Sequence, residues 1–272
     1  MKTLRFVGSA ILAVLLSVNL TSCGSDDDDS NGGGNGTGIT KGKKIVKIVE
    51  ESENGSYKYK DVQTFEYDSE GRLSKYISIL EEKFNPTTSR DTITKDFYWA
   101  DGAIKVVRND EHYKETSTLV LVNGLVQSCE GSGNNSYTFQ DAFTYNEKNQ
   151  FVWGEHTSGY SYSQSTTAKW DGDKLVSMSN NGQDEVTRTL AYGTSCSKGY
   201  FPFVVTMMEF CNDALYVAHP EIVGMRTNQL PSSITLKSRY ETVTSEVAYE
   251  FDNEGYLSKV VADDCTYTIN WQ

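Results

Sequence analysis

The sequence predicts an all-β protein: an antiparallel up-and-down meander of about 13–15 strands, curled into a barrel or half-barrel, with one helical insertion near 203–218. Three observations carry this reading. Past residue 40, helical periodicity is nearly absent, and short alternating runs rich in Val, Ile, Thr, Tyr and Trp take its place. Gly, Asn and Asp punctuate these runs where hairpins would turn. One signature, aromatic–Asp–x–x–Gly–x–Leu, stands near both ends of the body, as "YDSEGRL" (67–73) and "FDNEGYL" (251–257).

The first element is a targeting segment. Lys2 and Arg5 precede an apolar run from Ile11 to Leu16, and the segment closes on Leu20-Thr21-Ser22-Cys23. A basic start, an apolar run too short to span a bilayer and a small residue before Cys resemble the lipobox of bacterial lipoproteins. That resemblance implies that residues 1–22 are a signal peptide and that Cys23 becomes the acylated N terminus. Residues 23–40 read as a disordered tether, because Asp26 to Asp29 repel one another and "SNGGGNGTG" has little to bury. The acidic run resembles the export signal that sends Bacteroidetes lipoproteins to the outer face of the outer membrane. A calcium cage is not expected there, since cage ligands are spaced around a turn. Loss of residues 1–22 removes two cations and no acid, taking the formal charge from −12 to −14. Such a surface repels nucleic acid and anionic lipid, so membrane attachment falls to the anchor.

Residues 41–272 read as one β-meander domain. In "VQTFEYD", Phe65 and Tyr67 share one face of a strand while Thr64 and Glu66 share the other. Beyond the turn, Leu73, Ile77 and Ile79 resume an apolar face. Asp first and Gly fourth fit a type I turn followed by a residue of positive φ, with Asp68 and Asp252 accepting backbone hydrogen bonds. "TYNEKNQF" uses Asn146 and Asn149 in the same way, and "WADGAIKV" and "LVNGLVQS" carry the two-residue hairpin signal. "KWDGDKLVSM" is a variant. The turns fall at Asp68, Asp101, Asn123, Asn146, Asp171 and Asp252, the first five spaced about 22 to 33 residues apart. Longer polar loops, among them "EGSGNNSYTF" and "HTSGYSYSQST", gather at the opposite rim.

One segment breaks the alternation. From 203 to 218, Val204, Met207, Met208, Cys211, Leu215 and Ala218 recur near helical spacing, which predicts an amphipathic helix within an insert of about 196–231. Its expected role is to plug one end of the barrel or to cover an open edge.

Catalytic and metal-binding motifs find little support. Beyond Cys23, the cysteines Cys129, Cys196, Cys211 and Cys265 show no C-x-x-C spacing, and His112, His156 and His219 are scattered, so neither a metal nor a cofactor is expected. Cys196 with Cys211 is the candidate disulfide, which would contribute ~3 kcal/mol in the chain-entropy model. Ser195 and Lys198 match S-x-x-K without its partner motifs. Glu130, Asp141 and Glu155 are carboxylates that could pair as glycosidase acids, but sequence does not give their separation. The long loops are rich in Tyr, Ser, Gly and Asn, the composition of adaptable recognition surfaces. Tyr137, Tyr160 and Tyr162 are therefore the candidate ligand-binding residues; the alternative is that their rings simply pack at strand ends.

The lipobox, the acidic tether, the repeated hairpins and the helical insert before "NQLPSSI" together resemble a family of Bacteroidetes lipoproteins, the domain-of-unknown-function family 4595. That family is described as having a porin-like β fold. The resemblance covers nearly the whole mature body and brings no catalytic residue. "YDSEGRL" is also similar to a single YD repeat of toxin-encapsulating shells, although the other hairpins depart from that pattern. A porin-like fold would suggest a membrane-spanning barrel, and "TYTINWQ" faintly resembles an outer-membrane assembly signal. Spanning needs an unbroken apolar band, however, and "KIVKIVEE", "KYISILEEK" and "TITKDFYW" interrupt it with charge. The expected protein is a surface-exposed, outer-membrane lipoprotein acting as a non-catalytic binding module for glycan or polypeptide. A structural subunit of an outer-membrane assembly and a hydrolase are the alternatives.

Overall fold

The computed structural model describes residues 42–55, 57–84, 87–159, 162–182, 185–208, 210 and 213–272. Sixteen strands follow in chain order: β1 (Ile45–Asn54), β2 (Tyr57–Tyr67), β3 (Leu73–Phe84), β4 (Thr87–Ala100), β5 (Ala103–Asn109), β6 (Lys114–Val122), β7 (Leu125–Gly133) and β8 (Thr138–Tyr145), then β9 (Phe151–Ser158), β10 (Tyr162–Asp171), β11 (Lys174–Asn181), β12 (Val186–Cys196), β13 (Gln229–Ser238), β14 (Thr242–Phe251), β15 (Leu257–Ala262) and β16 (Cys265–Trp271). Each pairs antiparallel with the next, and β16 returns to β1, with Ile45 opposite Trp271 and Ser52 opposite Cys265. The sheet is thus a closed barrel. Its sixteen strands exceed the expected range by one, and the physical reason is parity: an up-and-down meander closes antiparallel only with an even number of strands.

The tight turns follow their local chemistry. Asp68 Oδ1 accepts the backbone N–H groups of Glu70 and Arg72, Asn146 Oδ1 those of Lys148 and Gln150, and Asp252 Oδ1 those of Glu254 and Tyr256. The fourth positions, Gly71, Asn149 and Gly255, have φ of 76°, 61° and 89°. These values fall in the left-handed region, which penalises most side chains and explains the choice of Gly and Asn.

Just inside this rim the barrel carries a girdle of aromatic donors. Tyr67 bonds the carbonyl of Ile45, Trp99 that of Leu73, Tyr145 that of Val126, Trp170 that of Phe151, Tyr192 that of Leu175, Tyr249 that of Pro231 and Trp271 that of Leu257, all at 2.5–2.8 Å. Each bond runs from near the end of an even-numbered strand to the beginning of the strand before it. Of the even-numbered strands, β6 carries Leu121 near this end, which has no donor to offer. An inward Tyr or Trp here buries a large apolar ring while its polar tip satisfies a carbonyl freed by the turn.

The rim is closed from within by the segment between β12 and β13. It contains a 3₁₀ turn, Pro202–Met208, the helix α1 (Asp213–Ala218) and a second 3₁₀ turn, Pro220–Val223. The expected amphipathic helix over 203–218 is therefore replaced by two short helical pieces, with Met207 and Met208 in the first, Leu215 and Ala218 in the second, and Cys211 outside the described residues. Burial explains the difference. Ala214 to Ala218 are all buried, so the segment is apolar around its circumference because barrel wall surrounds it. The opening for the plug is visible at Gly154, where a Cβ would lie 2.7 Å from Phe210 Cζ. Cys196 is disulfide-bonded, while Cys129 and Cys265 are thiols.

A buried polar group locks the plug to the wall. His219, fully buried, accepts the Leu73 N–H at Nε2 (3.1 Å) and so carries its proton on Nδ1, which faces Glu221 at 3.2 Å. Tyr67 and Trp99 meet its ring edge-on at 5.9 and 5.7 Å. Burial pushes the Glu221 carboxyl up, but its bond to His219 and the nearby Arg226 charge hold it below the usual range.

Candidate functional site

With apolar side chains and the plug filling the tight-turn end, the remaining bore is lined by different chemistry. Strand alternation sends Glu50, Tyr59, Asp61, Lys95, Arg108 and Glu115 inward from β1 to β6. On β14 the inward residues Val243, Ser245 and Val247 are half-buried rather than packed away. Water reaches the top of the plug: Asp213, at the start of α1, lies 3.1 Å from inward-facing Lys95, yet its side chain is 63% accessible. Enclosure within the barrel wall would raise the Asp213 carboxyl, but Lys95 and the Ala214 N–H hold it below the ordinary range. The barrel is therefore a cup, with an apolar base and a wet, polar mouth.

The most unusual group in the wall is Asp141 on β8. In "FQDAF" it stands between Phe139 and Phe143 on the inward face, where alternation calls for an apolar residue. It is 2% exposed; Oδ1 lies 2.6 Å from His156 Nδ1 on β9, and Oδ2 is buried without a hydrogen-bond partner. Burial pushes this carboxyl up, and the bond and charge of His156 pull it partly back. Register places the two residues directly opposite each other, with Cys129 beside Asp141 and Gln164 beside His156. Phe139 lies 5.9 Å from the imidazole and tilted by 32°, and Tyr162 meets it edge-on at 6.3 Å.

Two of the sequence candidates belong to this neighbourhood. Tyr137 packs beside Phe139 at 6.2 Å, and Tyr162 donates from its hydroxyl to Gln164 Oε1 at 2.6 Å. Tyr160 lies outside the described residues. Below them, a polar ladder ties the wall to the plug. Thr166 and Asn180 bond the carbonyl of Met208, and Arg188 bonds Asn180 at 2.7 Å.

The three candidate glycosidase carboxylates do not converge. Glu130 and Glu155 alternate with inward Cys129 and His156, so they face outward, while Asp141 faces the bore. Among the described residues, no group of three His, Cys, Asp or Glu side chains is placed to hold a metal ion. His156 was only a scattered histidine in the sequence; the signal that could have found it was the lone acid on the apolar face of "FQDAF".

No family model and no curated protein matches the chain. Solved structures do. A porin-like protein from Bacteroides uniformis is similar over 84% of this chain and 96% of its own, at 17% identity and a TM-score of 0.61. A porin-like protein from Bacteroides vulgatus covers 85% of this chain and 99% of its own, at 6% identity and a TM-score of 0.33. The first likeness shows the fold: a porin-like β-barrel.

Proposed function

We propose that this chain is a non-catalytic receptor, tethered by an acylated Cys23 to the outer face of the outer membrane, whose barrel mouth takes up a glycan or polypeptide. We place it beside the Bacteroidetes lipoproteins of family 4595. The observation that carries this reading is the direction of β1. Ile45 lies at the plugged rim, where Tyr67 bonds its carbonyl and Trp271 pairs with it, so the tether leaves from the closed end. The polar mouth then lies about 30 Å further from the membrane, the length of a ten-residue strand.

The outer wall supports a barrel that stands clear of the bilayer. The outward residues of β14 are Thr242, Thr244, Glu246, Ala248 and Glu250, and those of β10 are Ser163, Ser165, Thr167 and Lys169. In a spanning barrel a Lys or Arg on the lipid face costs about 2–4 kcal/mol at the midplane, and no apolar band is present on these strands to offset it.

The test is energy transfer from a single fluorophore to a membrane-surface dye, using the lipidated protein in vesicles. A label at Asp171→Cys, at the end of β10 beside a tight turn, should transfer more efficiently than one at Tyr240→Cys, a 72%-exposed residue between β13 and β14. Equal or reversed efficiencies would overturn the orientation.

A further inference from the structure

We infer that the Asp141–His156 pair is the polar anchor of a subsite for an uncharged sugar ring; the inference rests on the receptor reading above and names the ligand class of its mouth. A buried carboxylate with one oxygen unsatisfied weakens a fold, and an apolar residue of similar size would serve packing better. Asp141 has one evident task, which is to accept the Nδ1 proton of His156. That fixes the tautomer, so the lone pair of Nε2 is presented away from Asp141. No described residue hydrogen-bonds to Nε2, and the imidazole side chain keeps 13% of its surface in contact with solvent.

The surroundings of that lone pair suit a sugar ring. Tyr162 stands edge-on to the imidazole, Tyr137 continues the aromatic surface beyond Phe139, and Gln164 sits opposite His156 in register. Aromatic rings offer faces to the C–H groups of a pyranose, and imidazole Nε2 accepts a hydrogen bond from a ring hydroxyl. The neighbouring Gln164 amide and Tyr162 hydroxyl, joined to each other at 2.6 Å, keep this side of the imidazole polar. No covalent bond is made or broken; Asp141 acts as a positioning residue and His156 as a binding residue.

The closed sheet separates sugar from polypeptide. A polypeptide ligand is commonly recognised by adding a strand to a free sheet edge, and the described strands form a closed barrel in which β1 pairs with β16 from Ile45 to Ser52. A strongly acidic glycan is disfavoured by a formal charge of −14 once residues 1–22 are removed.

The experiment screens the mature protein on an array of uncharged, acidic and peptide ligands. The strongest uncharged hit is then titrated into protein carrying ¹⁵N-labelled histidine. The expected results are an uncharged oligosaccharide hit, a shift of the His156 Nε2 resonance on binding, and at least tenfold weaker binding by His156→Ala. The double variant Asp141→Leu with His156→Leu should keep or raise Tm, since both polar partners leave together, and should also lose binding. Absence of any uncharged hit, a silent His156 resonance, hits confined to peptides, or unchanged binding by the double variant would each overturn the subsite. Those failures are distinguishable from failure of the receptor reading, which the energy-transfer measurement tests without any ligand.

Discussion

At Asp68 one carboxylate does two jobs. Oδ1 closes the turn by accepting two backbone N–H groups, and Oδ2 meets Arg72 Nε at 2.7 Å. Asn146 performs the first job with an amide oxygen in the equivalent turn, so the charge is needed only for the second. Burial alone would raise the Asp68 carboxyl, but its hydrogen bonds and the Arg72 charge hold it below the usual range. A carboxyl depressed in the folded state stabilises above its unfolded value, and that contribution is lost as pH falls through its folded value. Asp68→Asn should therefore keep the turn and cost under about 1 kcal/mol at neutral pH, as expected for a partly exposed pair. The difference from wild type should close as the pH is lowered through the carboxylate range, measured by chemical denaturation at successive pH values. This turn chemistry was legible in the sequence because it is local, three or four residues acting on one another. Asp141 was not, because its partner His156 is supplied by the next strand and only register brings them together.

At the scale of elements, the aromatic before every tight turn of the plugged rim but that of β6–β7 was visible, but its partner was not. Trp99 sits two residues before Asp101, whereas the carbonyl it satisfies belongs to Leu73 on the neighbouring strand. Trp99→Phe keeps most of the buried ring and strands that carbonyl, so it should cost about 1–2 kcal/mol by denaturant unfolding. The plug shows the opposite limit of sequence reading. Its apolar spacing near 3.6 suggested one amphipathic helix, but an enclosed segment is apolar on every side and its periodicity says little about helix length. His219 carries more of its attachment than any pattern announced. His219→Leu leaves both the Leu73 N–H and the Glu221 carboxylate without their buried partner, and should cost about 3 kcal/mol with loosening of the plug first, read by hydrogen exchange. The same exchange experiment on Trp99→Phe should show a change confined to the turns of β2–β3 and β4–β5.

For the whole molecule, the alternation of each strand sets both the architecture and its solvent. Inward positions change from aromatic at the plugged rim to carboxylate, amide and phenol at the mouth, while outward positions stay Thr, Ser, Lys and Glu along strands such as β10 and β14. All-β architecture was legible in the alternation, but closure was not, since the pairing of β1 with β16 joins residues more than two hundred positions apart. We propose that a barrel with that wall stands in water and that lipid on Cys23 attaches it to the membrane. The most direct measurement is fractionation of Cys23→Ser expressed in its native envelope. The expected outcome is a folded barrel released into the aqueous fraction without detergent, with the wild-type Tm. Retention of the variant in the membrane after alkaline washing, or a need for detergent to keep it folded, would show that the barrel wall itself holds the membrane.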